Sequence, residues 1–164
     1  MKLQGEELLA LDVARVWQAL NDPVVLQQSI PGCQALEAHE DGYRITLLAA
    51  VAPVKARFKG KLALQNVSPL RSYTLVFEGT GGIAGFGKGS ADVSLTHREG
   101  GTLLTYAANA QVGGRLAQVG SRLVDGIAAR MAAEFFARFR DSVGSASAGT
   151  DLDPQSPLPG VLPT

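Results

Sequence analysis

The chain has a single cysteine, Cys33, among its 164 residues. No internal disulfide can form, so a reducing compartment is its simpler home. Neither sign of charge is in excess, with 15 Lys and Arg against 15 Asp and Glu. The basic surplus on which nucleic-acid affinity rests is missing, and nucleic acid is not an expected partner. No window approaches the roughly eighteen apolar residues that mark a membrane-spanning helix, so any membrane contact is expected to be peripheral. The opening MKLQGEELLAL places Glu6 and Glu7 where a secretory signal needs an unbroken apolar run. The expected location is cytoplasmic, at most peripheral at the inner face of the membrane.

Histidine is equally scarce. His39 and His97 sit in different segments, outside metal-ligand spacing with Cys33 or any carboxylate, so no metal is expected. Cys33 follows Pro31-Gly32 at the start of a strand-like run. It reads as a buried structural thiol, because a nucleophile would need a histidine alongside it. No carboxylates are spaced for paired acid–base work; Glu134, with Arg130 and Arg138 four residues to either side, reads as a structural or rim ion-pair network.

What is present is a change of hydrophobic period. Lys2 to Leu11 alternates like a strand, and Asp12 is placed to cap a short helix whose Val13, Val16, Trp17 and Leu20 share a face. Asn21-Asp22-Pro23 interrupts that helix; another turn or two follows before Ser29, Pro31 and Gly32 break the chain again. From Cys33 the period becomes two. Six further strands are expected, at 33–40, 42–51, 54–67, 73–79, 88–97 and 102–112, joined at Glu40-Asp41-Gly42, Pro53, Ser68-Pro69, a glycine cluster and Glu99-Gly100-Gly101. Gly113 to Arg140 then reads as one long helix with Leu116, Val119, Leu123, Ile127, Met131, Phe135 and Phe139 on a broad face, and with Ala117, Gly120, Ala128 and Ala132 filling little space on or beside it. One domain is expected over 1–142, α+β in class, an antiparallel meander curled around the last helix. A flexible Pro/Gly/Ser-rich tail is expected over 143–164.

Gly82 to Ser90, GIAGFGKGS, imitates a phosphate-binding loop. Gly89 stands where a hydroxyl should hold magnesium, and ADVSLTH continues as a strand where a helix should cradle phosphate, so nucleotide binding is rejected. The stretch reads instead as a bend beside a pocket, with Ile83 and Phe86 at its rim. Lys55, Arg57, Lys59 and Lys61 alternate with Ala56, Phe58, Gly60 and Leu62, which puts four cations on one strand face. That stripe is either an ordinary solvated face or a surface for an acidic partner or anionic lipid.

Four strings carry a resemblance: IPGC at 30–33, APVKARFKGKL at 52–62, GKGSADVSL at 87–95, and VGGRLAQVGSRLV running on into EFF over 112–136. Together they resemble the CoxG family of carbon monoxide dehydrogenase subunits, over residues 1 to about 142, within the START-like (SRPBCC) helix-grip superfamily of lipid carriers, plant pathogenesis-related proteins and polyketide cyclases. The resemblance implies a seven-stranded curved antiparallel sheet wrapped around the C-terminal helix, with two short helices after the first strand. It also implies a non-catalytic accessory protein of molybdenum hydroxylases of the carbon monoxide dehydrogenase type and of their coupling to the membrane. A hydrophobic cavity is implied too, with isoprenoid quinone or lipid as its candidate occupant and no covalent or metal cofactor.

The expected cavity lining is Leu116, Val119, Leu123, Ile127 and Met131 on the helix, facing Phe58, Leu62, Tyr73, Leu75, Phe77 and Tyr106 on strands and Ile83 and Phe86 on the glycine-rich bend, with the strand faces open to inversion by a one-residue register shift. Two rivals stand beside the carrier. One is a cyclase- or hydrolase-like enzyme drawing acid–base groups from Tyr43, Tyr73, Tyr106, His39, His97 or Glu134. The other is a protein adaptor with a closed core.

Overall fold

A computed structural model describes residues 1–51 and 54–150. The expected turn at Pro53 and the last part of the expected tail, 151–164, lie outside the described residues. Strand β1 (Lys2–Leu9) leads into helices α1 (Val13–Leu20) and α2 (Pro23–Ser29), followed by β2 (Cys33–His39), β3 (Gly42–Val51), β4 (Val54–Ser68), β5 (Ser72–Thr80), β6 (Phe86–Arg98) and β7 (Gly101–Gly113). A short helix α3 (Arg115–Gln118) and a long helix α4 (Ser121–Thr150) complete the chain.

All seven strands form one antiparallel sheet in the order β1-β7-β6-β5-β4-β3-β2, so the α+β expectation holds. The consecutive strands β1 and β2 lie at opposite edges, and α1 with α2 must cross between them. Both short helices begin on an aspartate. Asp12 accepts a hydrogen bond from the Arg15 N–H at 2.8 Å, and Asp22 accepts from the Val24 N–H at 2.9 Å with Pro23 at the first helical position. Register shifts between Cys33 and Ala35 and between Gln65 and Ser68 bend the sheet, as bulges do.

Packing is uneven along this curved sheet. The buried core gathers where β1 ends, β6 meets β7 and α1 crosses: Leu9, Val16, Leu20, Leu95 and Leu104 meet Phe136, Phe139 and Val143 of α4. Phe135 stacks on Phe139 with ring centroids 5.8 Å apart, and Phe136 stacks on Tyr106 at 5.5 Å. Polar contacts pin the same part of α4: Arg140 donates to Glu7 Oε1 at 2.7 Å and to the Leu8 carbonyl at 3.1 Å, and Ser142 pairs with Gln28 at 2.7 Å. Being exposed, these set direction more than stability, at about 0–1 kcal/mol each. No residue of α4 before Phe136 is buried.

Two expectations about the last helix need correction. Gly113 to Arg140 is not one helix, because Gly120 at φ +100°, outside the helical region, separates α3 from α4. The domain does not end at residue 142 either, since α4 continues to Thr150 and Val143 is fully buried in the core. Phe139→Ala is therefore expected to cost about 3–5 kcal/mol in urea unfolding, whereas Leu123→Ala, on the unburied half of the helix, stays within about 0.5 kcal/mol.

Candidate functional site

The pleat sorts each strand into an outer face and a face toward α4. The inner set includes Tyr43, Ile45, Leu47 and Ala49 of β3, Phe58, Leu62 and Leu64 of β4, Tyr73, Leu75 and Phe77 of β5, and Tyr106, Ala110 and Val112 of β7. These residues, with Leu116, Val124, Ile127, Ala128, Met131 and Ala132 opposite and Leu20, Leu26 and Ile30 at the side, enclose an apolar cavity of about 560 Å³. That volume lies in the range of small-molecule sites, about 300–1,000 Å³.

The register explains why the space is not filled. Gly60 on β4 pairs with Gly79 on β5, and Gly79 pairs with Gly87 on β6, so three adjacent strands present no side chain along one inner row. In the neighbouring row Phe77 pairs with Gly89, which pairs with Ala110. Across the gap α4 presents Ala128 and Ala132. Small residues on both walls leave a volume that large ones would close. Gly60 is also constrained by the backbone, because a Cβ there would lie 2.1 Å from the Glu78 carbonyl oxygen, while a Cβ at Gly79 would meet its neighbours at an ordinary 3.4 Å or more.

Of the expected lining, Phe58, Leu62, Tyr73, Leu75, Phe77, Tyr106, Leu116, Ile127 and Met131 surround this cavity. Four residues do not. Ile83 projects from a 3-10 turn, Gly82–Ala84, and is 85% exposed. Phe86 is in phase with Lys88 and Ser90 on the outer face, 46% exposed, its ring lying over its cross-strand partner Gly113 where a side chain would otherwise stand. Val119 closes α3 just before the Gly120 break. The restart at Ser121 sets a helical phase in which Val124 and Ala128 face inward, so Leu123 lies beyond the arc and is 42% exposed. The signal for Tyr43 and Ile45 is their alternation with Arg44 and Thr46; for Leu47 and Ala49 the apolar Leu48 and Ala50 that alternate with them erase it.

The outer face carries Lys55, Arg57, Lys59 and Lys61, all exposed as the alternation requires. Arg57 donates from Nε to Gln34 Oε1 at 3.0 Å, and among the described residues none of the four cations is ion-paired with a carboxylate. Glu134 is exposed enough to be solvated and pairs with Arg138 alone; the expected second partner, Arg130, is not engaged. His39 lies 3.8 Å from Glu40 in a turn, and His97 is exposed. Neither lines the cavity. Cys33 is half-buried rather than buried, and burial pushes its thiol up, away from nucleophilic character. Among the described residues no His, Cys, Asp and Glu cluster could hold a metal ion.

The model of the family described as the CoxG subunit of carbon monoxide dehydrogenase matches residues 5–144. The chain belongs to that family. A conserved protein from Geobacillus kaustophilus is similar at 31% identity, covering 89% of this chain and 97% of its own, with a TM-score of 0.83. More distant structures share the fold: a Thermus thermophilus protein at 14% identity and TM-score 0.66, covering 90% and 99% of the two chains, and a Mycobacterium smegmatis protein at 16% and 0.66, covering 88% and 92%. No curated protein is similar enough to match the chain. The fold is thus the helix-grip arrangement expected of the family. No helix among the described residues is long and apolar enough to cross a membrane.

The cavity has few polar groups, and its tyrosines are the ones that titrate abnormally. Burial, followed by the nearby Tyr43, pushes the Tyr73 phenol up to about 12. Burial and then Asp22 raise Tyr43; burial and then Glu7 raise Tyr106. For Tyr73 the raised value means that the folded protein holds its proton where the unfolded chain, near 10, releases it. Its contribution is complete below about pH 10 and is lost as pH rises toward 12. The unfolding free energy from urea titrations is expected to fall over that window with a slope of up to about 1.4 kcal/mol per pH unit from this group, and Tyr73→Phe should remove that contribution.

Proposed function

We propose that the protein is a non-catalytic accessory carrier. It encloses a hydrophobic small molecule, a lipid or isoprenoid quinone, between the sheet and α4, and serves a molybdenum hydroxylase of the carbon monoxide dehydrogenase type and its coupling to the membrane. The observation that carries this reading is the inner row Gly60-Gly79-Gly87 opposite Ala128 and Ala132, which keeps an apolar volume of about 560 Å³ empty of side chains. The accessory role rests on the family, whose description names it as one of the subunits of carbon monoxide dehydrogenase.

Burial of about 300 Å² of lipophile contributes on the order of 7 kcal/mol gross, enough for micromolar affinity after ordering costs without any charged anchor. A cyclase- or hydrolase-like enzyme would need convergent acid and base groups. His39, His97 and Glu134 stand away from the cavity, which leaves tyrosines alone. An adaptor with a closed core is disfavoured by the unfilled volume.

Gly79→Val adds bulk to the cavity floor at a position that tolerates a Cβ, so it is expected to keep the melting temperature and to weaken binding of a decyl benzoquinone at least tenfold in isothermal titration. Gly60→Ala should instead destabilise by about 1–3 kcal/mol through its collision with the Glu78 carbonyl. Unchanged quinone affinity in Gly79→Val, or no affinity in the wild type, counts against the carrier. Charge reversal at Lys55, Arg57, Lys59 and Lys61 separates the adaptor reading: a carrier keeps its ligand, whereas an adaptor loses its protein partner in pull-down with the dehydrogenase.

A further inference from the structure

Resting on the carrier reading, the cavity is polar at one end only. Tyr73 stands at the start of β5, on the inner face at the end of the cavity closed by α1 and the buried core, with Tyr106 in the same row beyond Val93; Tyr43, also inward, stands two rows further along with Leu62 and Phe77. Trp17 of α1 meets the Tyr73 ring edge-on at a centroid distance of 5.7 Å, fixing its position. Among the described residues neither hydroxyl has a protein hydrogen-bond partner. Tyr73 is partly buried and Tyr43 more open, so their partners are left to water or a ligand in the cavity, whereas the fully buried hydroxyls are satisfied within the protein: Ser29 donates to the Val25 carbonyl and Thr102 to the Leu11 carbonyl, each at 2.7 Å. At the opposite end the lining is Ala49, Phe58, Val112, Leu116 and Val124, which offer no side-chain hydrogen bond.

We infer that Tyr73, with Tyr43 nearby, is the head-group subsite of this cavity, donating a hydrogen bond to a neutral carbonyl oxygen of a lipophilic ligand that enters head first and leaves its hydrocarbon under the N-terminal half of α4. A phenol is protonated throughout the physiological range at its ordinary value near 10, so Tyr73 is a permanent donor there whether or not burial raises it further. The negative field of Asp22 that is felt at Tyr43 disfavours an anionic head there; among the described residues Lys59 and Lys88, which border the cavity through their strands, are on the outer side, and the Met1 ammonium at the rim is engaged by the Ala110 carbonyl at 2.9 Å. The subsite therefore selects a ketone, quinone or ester carbonyl over a carboxylate.

Three probes read this out: decylubiquinone, dodecylbenzene as a lipophile without oxygen, and palmitate, each titrated against wild type, Tyr73→Phe and the Tyr43→Phe/Tyr73→Phe double variant by displacement of N-phenyl-1-naphthylamine. Trp17 is the chain's one tryptophan, so a quinone ring docked against Tyr73 must quench its fluorescence. The expected result is strong quenching at saturation in the wild type. Tyr73→Phe should weaken decylubiquinone about fivefold, as loss of one hydrogen bond predicts, leave dodecylbenzene unchanged, and keep or raise the melting temperature because the hydroxyl it removes is unpaired. Palmitate should bind more weakly than decylubiquinone. Equal decylubiquinone affinity in wild type and Tyr73→Phe, or binding without quenching of Trp17, overturns the head-inward subsite while leaving the carrier intact. Failure of both decylubiquinone and dodecylbenzene to bind overturns the carrier reading and the subsite with it.

Discussion

The C-terminal half of α4 is the fixed point of this molecule. Phe136, Phe139 and Val143 sink into the core formed by β1, β6, β7 and α1, and Arg140 and Ser142 tie the same turns to β1 and α2. A helix held at one end behaves as a beam: its anchored turns set the height of the free turns above the sheet. The small residues beneath the beam then decide whether that height is filled. With Gly60, Gly79 and Gly87 aligned across three strands, it is not. Stability and the unfilled volume are thus divided along one helix, with aromatic packing at one end and a hydrophobic roof at the other.

The same division governs the chemistry open to the cavity. On β4 the pleat keeps the cations on the outer face, so Lys55, Arg57, Lys59 and Lys61 stay in water while Phe58 and Leu62 between them face inward. The tyrosine phenols are the inward polar groups with raised values, each through burial first. Among the described residues, His39, His97 and Glu134 stand away from this lining, which leaves it predominantly apolar.

Much of this architecture was legible in the chain because its signals are local. The switch from period two to helical spacing after Val112, the aspartates ahead of Val13 and Pro23, and the turn residues at Gly42, Ser68 and Gly100 each determine one element by short-range physics. What escaped was relational. Phe86 reads as part of a glycine-rich bend, yet it is the first residue of β6, in phase with Lys88, which puts its ring on the outer face over Gly113. Leu123 and Val119 were placed by assuming an unbroken helix; a single left-handed glycine at 120 turned the downstream face by enough to exchange Leu123 for Val124. Val143 reads as tail because the composition changes there, although it is buried in a core that β1, α1, β6 and β7 build with α4. The glycine row is of the same kind. Gly60, Gly79 and Gly87 are ordinary singly, and their meaning emerges only when strand pairing sets them side by side.

The central claim is that the gap under α4 is a receptacle and not a space that α4 can close. A crystal structure with a decyl benzoquinone brominated at its alkyl terminus tests it most directly. The account predicts an anomalous bromine peak between the glycine row and Ala128, with α4 still raised above the sheet. A structure in which α4 has settled onto the sheet, its side chains occupying the volume and no bromine peak within it, would contradict it.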